Sequence, residues 1–147
     1  MSEKEKAEKI VHQMMYKEDA FSRWMAVDIL TVNPGSCSIT VEIRPEMLNG
    51  FHICHGGVTF SIADSAFAFA SNSRGIHAVS IETSISHTRK VFAGDIITAL
   101  AAEKSLTTKF GIYDVVLNNQ KNETVAVKFH NVVEVFDFII LCKSNNF

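Results

Sequence analysis

A single carboxylate lies within the most apolar stretch of the chain. Residues 52–72, with the sequence HICHGGVTFSIADSAFAFASN, contain one acidic residue, Asp64, and no Lys or Arg occurs from 45 to 73 to pair with it. A buried carboxylate without a partner is costly in free energy, so such a residue is usually either paired or functional. Asp64 is therefore a candidate functional residue. The structural alternatives are a salt bridge from a distant strand and a hydrogen bond to Ser61 or Ser65.

Two adjacent glycines, Gly56 and Gly57, precede this carboxylate at the point where a helix would begin. The first N–H groups of a helix have no partner within the helix and lie at the positive end of its dipole. Such an end binds an anion or polarises a carbonyl group, and glycine lets a ligand approach the backbone closely. A tight turn into the helix is the structural alternative for the same two residues.

Two other chemistries are conceivable at the start of this stretch. A metal site built from His52, Cys54, His55 and Asp64 is disfavoured, because H-x-C-H is not a recognised ligand spacing and adjacent side chains point apart. Adjacency also gives Cys54 and His55 the wrong orientation for a nucleophile and its base. The three cysteines of the chain are widely spaced and contain no C-x-x-C pair, which predicts reduced thiols rather than a disulfide framework. We expect no metal and no cofactor.

Composition limits the remaining function classes. A chain of 147 residues has the size of one domain, and a formal net charge of −2 provides no field to attract nucleic acid. The first residues are dense in charge and lack the apolar core of a signal peptide, so we expect a cytoplasmic protein.

Hydrophobic periodicity predicts the elements that position these residues. Residues 2–18 predict an amphipathic N-terminal helix, begun by a capping box of Ser2 and Glu5. The apolar run from 56 to 71 predicts a buried helix of about 16 residues, below the roughly 20 needed to cross a membrane. Strands are predicted on both sides of it, over residues 25–32, 36–44, 76–87, 95–106, 109–117 and 123–135. This order predicts an α+β fold in which an antiparallel sheet wraps around one long helix.

The stretch LNGFHICHGGVTFSIADSAFAFASNS, with FAGD some twenty residues further on, resembles the hotdog-fold acyl-CoA thioesterases of the phenylacetate-degradation (PaaI-like) type. The match runs from about Met47 to Asp95. The resemblance implies one hotdog domain over 1–147, with the N-terminal helix within 1–20 and an atypical tail at 136–147. It also implies a homodimer with shared active sites that often doubles to a homotetramer.

The resemblance also assigns roles within the predicted site. Asp64 matches the catalytic carboxylate, acting as nucleophile or as general base for water, and the Gly56 N–H would polarise the thioester carbonyl. The remaining residues implied are Asn49 and His55 for positioning the carbonyl, Ser80 for holding the attacking water, and Gly57, Arg89 and Lys90 for binding the substrate. Arg89 and Lys90 would contact CoA phosphates, with solvated strand-end charges as the alternative.

Helix geometry separates the two ends of the motif. Asp64 follows His55 by nine positions, which corresponds to about 180° around a helix. One helix therefore could not easily aim both at one carbonyl. Because family sites lie across the dimer interface, the resemblance implies that Asp64 faces Gly56 of the neighbouring subunit.

The expected reaction is hydrolysis of an acyl-CoA, either an aromatic acetyl-CoA such as hydroxyphenylacetyl-CoA or a medium-chain acyl-CoA. CoA is here part of the substrate. Departures from the family pattern at His52, His87 and Lys90 bear on substrate fit and assembly. The alternatives are a hotdog-type enoyl-CoA hydratase or dehydratase and a non-catalytic acyl-CoA-binding module.

Overall fold

A seven-stranded antiparallel sheet forms the framework of the molecule in the computed structural model, which describes residues 1–136 apart from the side chains of 129–131 and 136. The strand order is β1-β2-β5-β6-β7-β3, and the short strand β4 also pairs with β7. The strands are β1 (Asp28–Asn33), β2 (Ser36–Glu42), β3 (His77–Glu82), β4 (Ser86–His87), β5 (Ile96–Leu106), β6 (Phe110–Asn118) and β7 (Thr124–Phe136). Residues 137–147, most of the predicted atypical tail, lie outside the described residues.

The central helix, labelled α3 in chain order, spans Gly56–Asn72 and packs against β2, β3, β5, β6 and β7. Alternate residues of the strands face it, as the period of a half-buried strand requires. Those that are almost fully buried on the three central strands are Cys37, Ile39, Val41, Ile97, Ala99, Ala101, Tyr113, Val115 and Leu117. The predicted α+β arrangement, a sheet wrapped around one long helix, is confirmed.

The predicted N-terminal helix is present as α1 (Glu3–Lys9), which continues as a π-helical segment over Ile10–Tyr16. Its capping box is formed, because the Glu5 N–H donates to Ser2 Oγ and the Ser2 N–H donates to the Glu5 carboxylate. A short helix that the sequence did not predict, α2 (Ala20–Trp24), follows, so β1 begins later than expected. No described helix is long and apolar enough to cross a membrane.

One predicted strand is wrong in its extent. The run 76–87 forms two strands, β3 and β4, rather than one, and both pair with β7. Between the pairs Glu82–Val132 and Ser86–Val127, the β7 segment is one residue longer than the chain opposite. The mismatch breaks the ladder there, and β4 then turns toward the N-terminus of α3.

Candidate active site

Asp64 is paired by a residue from a distant strand. Its Oδ1 accepts a hydrogen bond of 2.7 Å from Nζ of Lys128 on β7. The Lys128 side chain is fully buried, whereas the Asp64 side chain is 45% exposed. The salt-bridge alternative is therefore confirmed, and the expectation that Asp64 is deeply buried is wrong. The hydrogen bonds suggested to Ser61 and Ser65 are not formed, since these hydroxyls bond to Gly57 O and to Ser22 Oγ.

Lys128 lies in an aromatic and largely dry environment. Its Nζ is 4.6 Å from the ring centroid of Phe60 and 5.0 Å from that of Phe67. Burial lowers the pKa of the Lys128 ammonium, while the hydrogen bond and charge of Asp64 act in the opposite sense. Sequence reasoning missed this lysine. Its signal was a lone cation in the otherwise apolar strand TVAVKF, opposite in sign to the lone carboxylate of the helix.

The N-terminus of α3 presents one free backbone donor. His55 is the N-cap residue, and its Nδ1 accepts the Gly57 N–H at 2.9 Å. Within the described part of the chain, no acceptor is found for the Gly56 N–H. His55 thus acts here as a helix cap, and the Gly57 amide predicted to serve the substrate is already occupied. Gly56 remains the donor that can polarise a carbonyl.

A pocket of about 350 Å³ opens in front of this helix end. Its lining includes Asn49, Gly56, Thr59, His87, Arg89 and Lys90. The structure therefore brings together four residues that the resemblance placed in one site, since Asn49, Gly56, Arg89 and Lys90 all contribute to this wall. Asp64 and Ser80 do not line the pocket. Ser80 lies exposed on β3, at the edge of the described sheet.

Asn49 shapes the loop on one side of the pocket. Its Oδ1 accepts the N–H of Phe51 at 2.9 Å and the N–H of Ile53 at 3.4 Å, and its own N–H donates to Ile53 O at 2.8 Å. The carboxamide oxygen is therefore committed to the loop. The carboxamide NH₂ has no acceptor among the described residues, which leaves it as a donor for a ligand in the pocket.

His87 is a pocket residue that sequence analysis treated only as a departure from the family pattern. Its Nε2 is 2.7 Å from Thr59 Oγ1, and a Cβ on Gly56 would lie 3.3 Å from its Cε1. Thr59 Oγ1 also lies 3.0 Å from Gly56 O, and when its single proton is donated there, His87 Nε2 is the donor to Thr59. The imidazole ring therefore lies directly beside the free Gly56 amide.

Arg89 and Lys90 are exposed at the mouth of the pocket. Nη1 of Arg89 lies 3.8 Å from Oε1 of Glu123, both partners being partly solvated. Such a surface pair contributes little to stability, so the guanidinium can turn to an anionic ligand at small cost.

Cys54 also lines the pocket, and burial raises the pKa of its thiol to about 11. At neutral pH it is protonated, which disfavours its role as a nucleophile. The described residues bring no three His, Cys, Asp or Glu side chains into a cluster that could hold a metal ion.

Comparison with known proteins identifies the family. The family model described as the thioesterase superfamily matches residues 51–126. The chain is 41% identical over 113 residues to the acyl-coenzyme A thioesterase PaaI of Escherichia coli, covering 77% of this chain and 81% of that protein. It is also 35% identical over 125 residues to a putative esterase of Archaeoglobus fulgidus, covering 85% and 81% of the two chains.

Solved structures agree with the sequence relatives. The E. coli PaaI protein of the phenylacetic acid degradation operon superposes with a TM-score of 0.89 at 37% identity, covering 92% of this chain and 96% of that one. A variant of the phenylacetic acid degradation protein PaaI from Thermus thermophilus gives a TM-score of 0.77 at 30% identity, covering 80% and 100%. The chain therefore belongs to the thioesterase superfamily, as a PaaI-like thioesterase with the hotdog fold.

Proposed function

We propose that this chain hydrolyses acyl-CoA thioesters to a free acid and CoA. The observation that carries the proposal is a half-exposed Asp64 carboxylate on the same helix whose N-terminus offers the free Gly56 amide to a pocket. The name of the 41% identical E. coli relative, an acyl-coenzyme A thioesterase, supports the choice of substrate class.

The Gly56 end of α3 supplies the electrophilic half of the reaction. A thioester carbonyl in the pocket would accept from the Gly56 N–H and from the Asn49 carboxamide. A donor of this kind, aimed at the oxygen that becomes negative, is typically worth about 3 to 4 kcal/mol of the activation barrier. The leaving group is the CoA thiolate, and Arg89 and Lys90 at the pocket mouth would bind the phosphates of CoA.

Asp64 supplies the nucleophilic half, either by attacking the carbonyl carbon itself or by taking a proton from the attacking water. In both routes the C–S bond breaks and the CoA sulfur leaves with the bonding electrons. On the general-base route, water adds to the carbonyl carbon and provides the new oxygen of the product acid. On the direct route, Asp64 provides that oxygen through a mixed anhydride, which water then opens at the Asp64 carboxyl carbon. Label from ¹⁸O-water in single-turnover reactions separates them, because direct attack places label in the Asp64 carboxylate.

Helix geometry favours an arrangement in which these two halves come from different chains. Gly56 and Asp64 are eight residues apart on one helix, which places them about 12 Å apart along its axis. One thioester carbonyl cannot be within hydrogen-bonding reach of both. We therefore propose a homodimer, able to double to a tetramer, in which Asp64 completes the pocket at the partner subunit's Gly56.

The edge strand β3 offers a surface for this pairing. It ends the described sheet, so its outer backbone groups are a template for another strand. Val79 is 46% and Ile81 53% exposed on it, which is unusual for apolar strand residues unless they are covered in an assembly. Pairing through β3 would also enclose Ser80, the proposed ligand of the attacking water.

The acyl group is proposed to be an aromatic acetyl group, as in hydroxyphenylacetyl-CoA, or a medium-length chain. The test is free-thiol release from a panel of acyl-CoAs by the wild type and by Asp64→Asn. We expect turnover of at least one such substrate and a fall of at least about 100-fold in the variant, the usual contribution of a positioned acid or base. Asp28→Asn, an exposed aspartate of β1, is the matched control and should keep full activity.

Each competing function gives a different result in the same assay. Equal rates for the wild type and Asp64→Asn would refute the role of Asp64. Hydration of an enoyl-CoA without thiol release would favour a hydratase or dehydratase. Measurable affinity for acyl-CoA without turnover of any panel member would favour a binding module.

A further inference from the structure

We propose that Lys128 is a positioning residue for the reaction: it holds one oxygen of Asp64 in place and leaves the other oxygen for the chemistry. The inference rests on the proposed function, since it assigns a role through Asp64. It starts from the 2.7 Å contact between Lys128 Nζ and Asp64 Oδ1, the one polar contact of this carboxylate among the described residues. Oδ2 is the oxygen left for the reaction.

The position of the ammonium group is set by one face of α3. Phe60 lies four residues before Asp64 and Phe67 three residues after it, so all three side chains share one face of the helix. The two rings lie 4.6 Å and 5.0 Å from Nζ, and Asp64 provides the counter-charge. Because the Lys128 side chain is fully buried, it cannot swing to another position as a surface lysine would.

Exposure differs sharply between the two partners, and this asymmetry argues for function. A fully buried ion pair is often no better for stability than apolar residues of the same volume. Here the lysine is 0% exposed while the aspartate is 45% exposed. The cation therefore forms a rigid inner wall, and the carboxylate it holds faces outward, where substrate and water arrive.

Other titratable groups that face α3 are engaged with different partners. Tyr113 of β6 contacts Phe67 with its ring, and its hydroxyl donates to Glu103 of β5, which also pairs with Arg74. His87 of β4 meets the helix at Thr59, near its N-terminus. The thiol of Cys37 on β2 is buried with a raised pKa of about 12. Lys128 is thus the cation that the described residues place against Asp64.

A fixed carboxylate lowers the cost of reaching the reactive geometry. Without Lys128, Asp64 would rotate freely into solvent, and a misplacement of about 1 Å can cost about 100-fold in rate. The loss of Lys128 should therefore slow the chemical step and lower kcat. Substrate binding depends on the pocket at the other end of the helix and should change little.

The experiment compares Lys128→Met and Lys128→Arg with the wild type in steady-state thiol release. We expect kcat to fall about 10- to 100-fold in Lys128→Met with KM within about threefold, and to recover largely in Lys128→Arg, which keeps a cation. Methionine fills the volume of the buried stem, and Asp64 remains hydrated, so the variant should fold. A Lys128→Met enzyme with wild-type kcat, or an equal loss in folded Lys128→Arg, would overturn the proposal.

The pH profile of the wild type provides a second measurement that does not depend on any variant folding. Because burial lowers the pKa of Lys128, kcat should fall at alkaline pH as the ammonium loses its proton. This alkaline fall in kcat should be absent in Lys128→Met and should occur at higher pH in Lys128→Arg, since arginine stays charged. A kcat that stays level up to about pH 10.5, the ordinary lysine value, would also overturn the proposal.

Asp64→Asn in the same assay separates the two proposals. If Asp64→Asn keeps wild-type activity, the proposed function of Asp64 fails and the role of Lys128 fails with it. If Asp64→Asn is inactive while Lys128→Met is fully active, only the inference about Lys128 fails.

Discussion

Removing the Asp64 side chain should destabilise the fold, independently of any effect on catalysis. Asp64→Ala removes the carboxylate that pairs with the fully buried ammonium of Lys128, which lies near the rings of Phe60 and Phe67. Breaking a buried pair by removing one partner costs about 3 to 5 kcal/mol. Because Asp64 is 45% exposed, water can partly replace it, and we expect the low end, about 3 kcal/mol.

Thermal unfolding at fixed protein concentration measures this effect. At about 2 to 4 °C per kcal/mol for a chain of this size, the midpoint of Asp64→Ala should fall by about 6 to 12 °C. Adding Lys128→Met removes the buried charge and should bring the midpoint back to within a few degrees of the wild type. The control Asp28→Ala, at an exposed position, should leave the midpoint unchanged.

The loss of folding stability in Asp64→Ala should also depend on pH in a defined direction. The folded-state pKa of Lys128 lies below its ordinary value of 10.5, so the unfolded chain binds more protons between the two values, and stability rises with pH there. Without the Asp64 carboxylate the folded-state pKa of Lys128 lies lower still. The loss in Asp64→Ala should therefore shrink as pH rises from that lower value to the folded-state pKa of the wild type, and it should vanish above it. An unchanged midpoint in Asp64→Ala, or a double variant no more stable than Asp64→Ala, would refute the reasoning.

Three further predictions concern the pocket, and thiol release measures each of them. Gly56→Ala would place a Cβ 3.3 Å from Cε1 of His87 and should lower kcat/KM about 10-fold by crowding the helix end. The control Gly50→Ala should have no effect, because a Cβ on Gly50 would meet no atom within 4 Å. Asn49→Asp keeps the oxygen that accepts from the loop but loses the carboxamide donor, so kcat/KM should fall about 100-fold while the thermal midpoint stays unchanged. A fall in both kcat/KM and the thermal midpoint would indicate a structural role only. Cys54→Ser should keep full activity, because its thiol, with a pKa of about 11, is protonated at neutral pH, and inactivity would restore the thiol as a nucleophile.

Elements with local signals were predictable from the sequence. The capping box at Ser2 and the long helix α3 follow from spacings within a turn or two, and both are confirmed. The helix α2 spans only five residues, too few for a periodic pattern to be visible. The break between β3 and β4 depends on their register with β7, which comes much later in the chain, so the run 76–87 carries no sign of it.

The residues of the candidate site likewise include some that local sequence predicted and some that only the fold brings together. Asn49 and Gly56 lie close together in sequence, and the structure places them in one pocket as the motif suggests. Lys128 is 64 residues from Asp64, and only the fold shows that they meet. His87 was visible as an unusual residue, but its place beside Gly56 depends on β4. Partner choice across the sheet is a long-range property that one sequence does not reveal.

The central claim is that the Asp64 of one subunit and the Gly56 end of another form a single active site. The most direct measurement is thiol release by Asp64→Asn and Asn49→Asp chains co-expressed in equal amounts. Each parent alone should be nearly inactive. A mixed dimer would contain one site with both residues intact, so random assortment predicts about a quarter of wild-type activity. A mixture no more active than the mean of its two parents would contradict the claim.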